Sequence, residues 1–265
     1  DDYLAFVLAN ATRTPTVYVG ANDGMLHGFN ATTGAETFAF IPSQVIPRLA
    51  ALADPNYVHQ YYVDGDITVA DAYWGGQWRT ILVGTLGRGG RGVYALDVTN
   101  PSSVSRLGEK TATDIPAMGN SLGKPIIAQV ADGDWRVFIG NGPNGSGGTA
   151  QLVTIRLNNG AVTTASTGVA GDNGLSGPNV WNTGATDFVD RVYAGDLRGN
   201  LWRFGNLAGT PTVTAMFQAT DGTTAQPITA TPTVSRNPSN NDTRVYSGTG
   251  KYVNEADLSD TQAQS

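Results

Sequence analysis

The chain has 265 residues, 40% of them hydrophobic and only 14% charged, with 34 glycines and 13 prolines. That is enough apolar material for a buried core, with a turn-rich balance that suits short strands better than long helices. A net charge of -6 with no Lys/Arg run argues against nucleic acid as a partner, and the absence of cysteine removes disulfides, thiolate metal sites and cysteine nucleophiles together.

In chain order, the longest apolar run is Leu4 to Ala9, far short of the ~20 residues a transmembrane helix needs. A soluble chain is expected, with any signal peptide removed or upstream. Beyond it one pattern recurs five times: a hydrophobic strand ending in an aromatic residue or leucine (phenylalanine once), one further residue, then glycine. The copies are Tyr18-Val19-Gly20, Leu82-Val83-Gly84, Phe138-Ile139-Gly140, Tyr193-Ala194-Gly195 and Tyr246-Ser247-Gly248, with glycines 53 to 64 residues apart. Arg136, Arg191 and Arg244 each stand two residues before the aromatic of the last three copies. The period is long enough for four strands with their loops.

Each unit reads as a four-stranded antiparallel blade. Innermost strands are expected at Gly65 to Ala70, Lys124 to Val130, Gly177 to Trp181 and Ala230 to Ser235. The glycine-terminated strand follows, then a third strand such as Leu201 to Phe204, where alternation is visible. Fourth strands are expected at Thr37 to Ile41, Val104 to Leu107, Ala161 to Thr164 and Val213 to Phe217. The resulting blades span 15–41, 64–109, 123–165, 176–218 and 229–250, of which the first lacks an inner strand and the last has two strands. One blade cannot bury both its faces, so the reading is an all-β propeller, either a fragment of a larger ring or a ring closed by pairing the two partial blades. The single helical signal in an inter-blade loop is Ser43 to Ala53, with Ser43 as N-cap.

Reactive constellations are sparse. The glycine-rich Gly84 to Gly92 stretch, with Arg88 and Arg91, precedes a strand rather than a helix, so it reads as a wide hairpin turn and not a phosphate cradle. His27 and His59 have no zinc spacing, and no serine sits in a nucleophile elbow. Asp64, Asp66 and Asp71, and the pair Asp132 and Asp134 around Gly133, read as turn chemistry. The tryptophans 74, 78, 135, 181 and 202 are expected to wedge between blades. No enzymatic activity is expected.

From Val17 the sequence becomes specific. VYVGANDGMLHGFNATTGAETFAFIP, YVHQYYVDG at Tyr57, GRGGRGVYALDVTNP at Gly87, FIGNGPNGSGGTAQL at Phe138, RVYAGDLRGNLWRF at Arg191 and the terminal segment from Ser247 resemble, in order, the C-terminal propeller of the PilC/PilY family. The resemblance implies an extracytoplasmic module at the pilus tip, cell surface or outer membrane that acts with minor pilins and a host or abiotic surface. It would promote pilus assembly, oppose retraction and support attachment. Two competing readings are a quinoprotein-like dehydrogenase propeller, which commonly uses a vicinal cysteine pair absent here, and a periplasmic assembly scaffold. The resemblance also brings a nine-residue calcium loop before the strand at Val192, with oxygen ligands at its first, third, fifth and ninth positions. In this chain those are Asn182, Gly184, Thr186 and Asp190, and Asp187 replaces the usual glycine. With one matching carboxylate left, calcium binding is expected to be weak or lost, and no other cofactor is expected.

Overall fold

The computed structural model describes residues 3–184 and 186–259. A short helix that the sequence reading did not anticipate, α1 (Tyr3–Ala9), opens it. Its Tyr3 and Phe6 rings lie 4.5 and 6.4 Å from the Trp78 ring, and Tyr3 Oη donates to Asp71 Oδ2 at 2.8 Å.

Nineteen strands follow among the described residues, almost all in up-and-down antiparallel sheets. Sheet I has three: β1 (Thr16–Gly20), β2 (Leu26–Asn30) and β3 (Glu36–Phe40). Sheet II has β4 (Ile67–Trp74), β5 (Gln77–Thr85), β6 (Gly92–Asp97) and β7 (Ser105–Thr111). Sheet III has β8 (Ile126–Gln129), β9 (Trp135–Gly140), β10 (Gln151–Arg156) and β11 (Val162–Ser166). Sheet IV has β12 (Asn179–Trp181), β13 (Arg191–Gly195), β14 (Asn200–Gly205) and β15 (Thr212–Gln218). A small hairpin, β16 (Thr220–Asp221) and β17 (Thr224–Ala225), leads to sheet V, β18 (Thr233–Arg236) and β19 (Thr243–Tyr246).

The core lies between successive sheets. Leu26, Tyr18 and Phe38 of sheet I meet Leu82, Tyr94 and Leu96 of sheet II. The other face of sheet II, with Ile81, Val83 and Val93, packs on Val137, Ile139 and Ile155 of sheet III. Phe138 and Leu152 of sheet III meet Val192, Ala194, Trp202 and Phe204 of sheet IV, and Leu201 packs on Ile228 with Val245 of sheet V. Sheets II, III and IV are thus covered on both faces. That is why β5, β9 and β13 are almost continuously apolar, where a one-faced strand would alternate. Face-to-face stacking of small meander sheets is the propeller arrangement.

The repeated glycine has a steric cause. A Cβ on Gly20 would lie 2.5 Å from Val63 O, one on Gly140 1.9 Å from Ser176 O, and one on Gly195 2.2 Å from Ile228 Cγ2. In each case the obstacle is the segment entering the next sheet. Sheet II departs by one residue. Leu82, two before Gly84, faces sheet I, whereas Phe138, two before Gly140, faces the following sheet. Thr85, opposite Val93, therefore takes the place that Gly140 holds opposite Leu152, and Gly84 instead makes room for the Tyr94 phenol of its own sheet.

The expected helix from Ser43 is also corrected. The segment is a 3₁₀ helix, Ile46–Ala53, entered from Val45 without a side-chain cap and with proline in its first turn. Ser43 uses its N–H and hydroxyl on Glu109 Oε2 instead, at 2.8 and 2.6 Å. In sheets I, II and IV the outermost strand carries a bulge, which interrupts the ladder next to each free edge.

Candidate functional site

Just beyond the repeated glycines, buried polar side chains tie the sheets together. Asn141 is 1% exposed and fills its hydrogen-bonding capacity with four backbone groups, each at 2.9 Å: Nδ2 donates to Ala117 O and Thr149 O, and Oδ1 accepts from Gln151 N and Leu175 N. Asp196, fully buried in sheet IV, accepts at Oδ1 from the backbone N–H groups of Arg198 and Asn200, both at 2.9 Å. Its Oδ2 accepts from Trp202 Nε1 at 2.8 Å and Asn173 Nδ2 at 3.0 Å. A buried carboxylate with this many donors is a structural anchor, with no lone pair left over for proton transfer. The sequence reading passed over both residues. The available signal was the Asn or Asp directly after glycine in Gly140-Asn141 and Gly195-Asp196.

Arg136, 3% exposed, crosses from sheet III to donate to Leu207 O and Ala208 O beside sheet IV while pairing with Asp132. Across the ladder it stands opposite Arg156, which pairs with Asp134 at 2.8 Å. The turn read from Asp132, Gly133 and Asp134 therefore also neutralises two facing arginines. Arg191 is half-buried and Arg244 exposed, so the three arginines of the repeat do not share one environment.

Of the expected calcium-loop residues, Asn182 and Asp190 each turn to neighbours within or beside the loop. Asn182 Oδ1 accepts from Gly184 N at 2.6 Å and its Nδ2 donates to Thr186 O. Asp190 accepts from the Thr183 N–H at 3.2 Å and from its hydroxyl, and lies 3.5 Å from Arg191 Nη1. Thr186 Oγ1 sits 3.4 Å from both Phe188 N and Phe188 O. Asp187 is exposed and makes no hydrogen bond among the described residues. A donor set with one carboxylate, already held by a hydroxyl, an amide and a guanidinium, does not fit a cation that needs six to eight oxygens.

The remaining candidates separate. His27 lies between Glu36 Oε1, 2.7 Å from Nδ1, and Asp23 Oδ2, 2.8 Å from Nε2; the Glu36 hydrogen bond is the main reason its pKa is raised above 6.5. His59 packs edge-on against Tyr61. Asp71 accepts from Thr80 Oγ1 at 2.6 Å, away from Asp64 and Asp66 beside Arg88. Arg88 is held between the rings of Tyr61 and Tyr252, each 5.3 Å away. Among the described residues no three acidic or histidine side chains gather to hold a metal, and no helix is long and apolar enough to cross a membrane.

With this geometry in place, known proteins give a consistent answer. Residues 1–225 match the PilY1 beta-propeller domain family. A type IV pilus biogenesis factor PilY1 homolog of Xylella fastidiosa is 47% identical across 99% of this chain and 22% of its own length. The type IV pilus biogenesis factor PilY1 of Pseudomonas aeruginosa PAO1 is 43% identical across 97% of this chain and 24% of its own. The chain thus spans less than a quarter of these relatives. The crystal structure of the Pseudomonas aeruginosa PilY1 C-terminal domain superposes with a TM-score of 0.85 at 39% identity, covering 99% of this chain and 58% of that one. The chain belongs to the PilY1 family of type IV pilus biogenesis factors and carries its β-propeller fold.

Proposed function

We propose that this propeller is a non-enzymatic module that acts outside the cytoplasm at the type IV pilus tip, where it engages minor pilins, promotes assembly, opposes retraction and supports surface attachment. The observation that carries this reading is identity to type IV pilus biogenesis factors along nearly the whole chain. The packing is compatible with it. Asn141, Asp196 and Arg136, the polar groups best placed for chemistry, are buried and committed to joining sheets, which leaves loops and outer strands to meet partners. The 182–190 loop holds its shape through Asn182 and Asp190, and the module works without calcium there.

The test is a pull-down of the purified chain against each minor pilin of the same organism, with fractionation of sheared pili. Retention of one minor pilin and recovery in the pilus fraction support the reading. Confinement to the periplasm with no pilin retained would favour an assembly scaffold instead.

A further inference from the structure

A groove of about 400 Å³ lies at the rim between sheets II and III. Its lining includes Val83, Val93, Ala95, Val137, Ile155 and Leu157, several of them from the apolar cluster that joins the two sheets. The groove exists because side chains are missing at its wall. Gly108 stands opposite Ala95 in the outer strand β7, and a Cβ there would meet nothing within 4 Å. Gly160, in the turn joining β10 to β11, forms the far side.

One cation lies over this apolar floor. Lys110 is paired in register with Val93, so its side chain is on the face turned toward sheet III, and its Cε comes within 3.7 Å of a Cβ placed on Gly160. The Lys110 ammonium has no hydrogen bond or ion pair among the described residues; Asp114, its electrostatic neighbour, is beyond ion-pair distance. The other charges at the rim are engaged elsewhere: Glu109 with Ser43 and Arg106, Arg156 with Asp134. An apolar trough with a single uncommitted ammonium at its mouth matches an apolar body that carries one negative charge.

We propose that this groove binds a small amphipathic monocarboxylate, its aliphatic or aromatic body on the Val83, Val93, Ala95 and Ile155 floor and its carboxylate on Lys110 Nζ. The site is separate from the 182–190 loop and does not depend on the pilus reading.

Calorimetric titration of octanoate into the purified chain tests it, with 1-octanol and octylamine as the uncharged and cationic counterparts. Saturable octanoate binding is expected, with octanol weaker by about tenfold, the scale of one charge-assisted contact, and octylamine weaker still. Lys110→Gln should bring octanoate down to the octanol level and remove its salt dependence. Gly108→Leu should abolish binding of all three while a thermal melt shows the fold intact. Absence of octanoate binding by the folded wild-type chain would overturn the proposal. Octanol binding as tightly as octanoate, or unchanged affinity in Lys110→Gln, would equally remove its anion-recognition basis.

Discussion

Replacing Gly140 by alanine isolates the physical basis of the repeat. The new Cβ would lie 1.9 Å from Ser176 O, 2.5 Å from Leu175 O and 2.7 Å from Ser176 C, all backbone atoms that no rotamer change can clear. Relief requires sheets III and IV to part by roughly an ångström. Overpacking of this kind costs about 1–3 kcal/mol. The same movement stretches the hydrogen bonds from Gly142 N to Leu175 O, at 3.0 Å, and from Leu175 N to Asn141 Oδ1, at 2.9 Å. Each contributes about 1 kcal/mol, so the expected total is about 3–5 kcal/mol. Gly248 is the control, because it ends the same motif but a Cβ there meets nothing within 4 Å, and alanine should change stability by less than about 0.5 kcal/mol. Urea unfolding followed by far-UV circular dichroism measures both. A loss below about 1 kcal/mol for Gly140→Ala, or equal losses for the two variants, would refute the steric account of the repeat.

Other consequences are open to measurement. Arg136→Met leaves the carbonyls of Leu207 and Ala208 without this donor, while exposed Asp132 keeps Arg156 at 3.7 Å, so a loss of about 1–3 kcal/mol is expected in the same assay, and Arg244→Met, at an exposed position, should be nearly neutral. His27 has a folded-state pKa raised above 6.5, so its contribution to stability is complete below about pH 6.5 and fades as pH rises through the folded-state value. An NMR titration should find the raised midpoint, and His27→Gln should remove this part of the pH dependence; salt should weaken the effect, because Asp23 and Glu36 are about half exposed. Calcium titrated into the chain should show no tight site in the 182–190 loop, and a tight site lost in Asp190→Ala would overturn the proposal for that loop.

How much was legible in the sequence depended on whether the cause was local. The strand ending at Gly140 and the outer strand near Val213 follow from hydrophobic runs and turns a few residues away. Gly84 did not reveal that its strand is shifted by one residue, because both faces of β5 are buried and an apolar run on both faces carries no phase. Ser43 satisfied the local rule for a helix cap, yet Glu109, 66 residues away, takes its hydroxyl. Asp196 was passed over in the sequence, because only the fold brings Trp202 and Asn173 onto its carboxylate. In the 182–190 loop the missing carboxylates could be counted directly, whereas the contacts that close the loop through Asn182 and Asp190 could not.

The most direct test of the central claim is a strain whose gene lacks the segment coding for this propeller, with sheared surface pili quantified beside the parent. The account predicts a marked loss of surface pili, restored when the intact segment is returned and the protein is recovered at the pilus tip. Unchanged piliation in the deletion strain, with the intact protein never found among sheared pili, would contradict it.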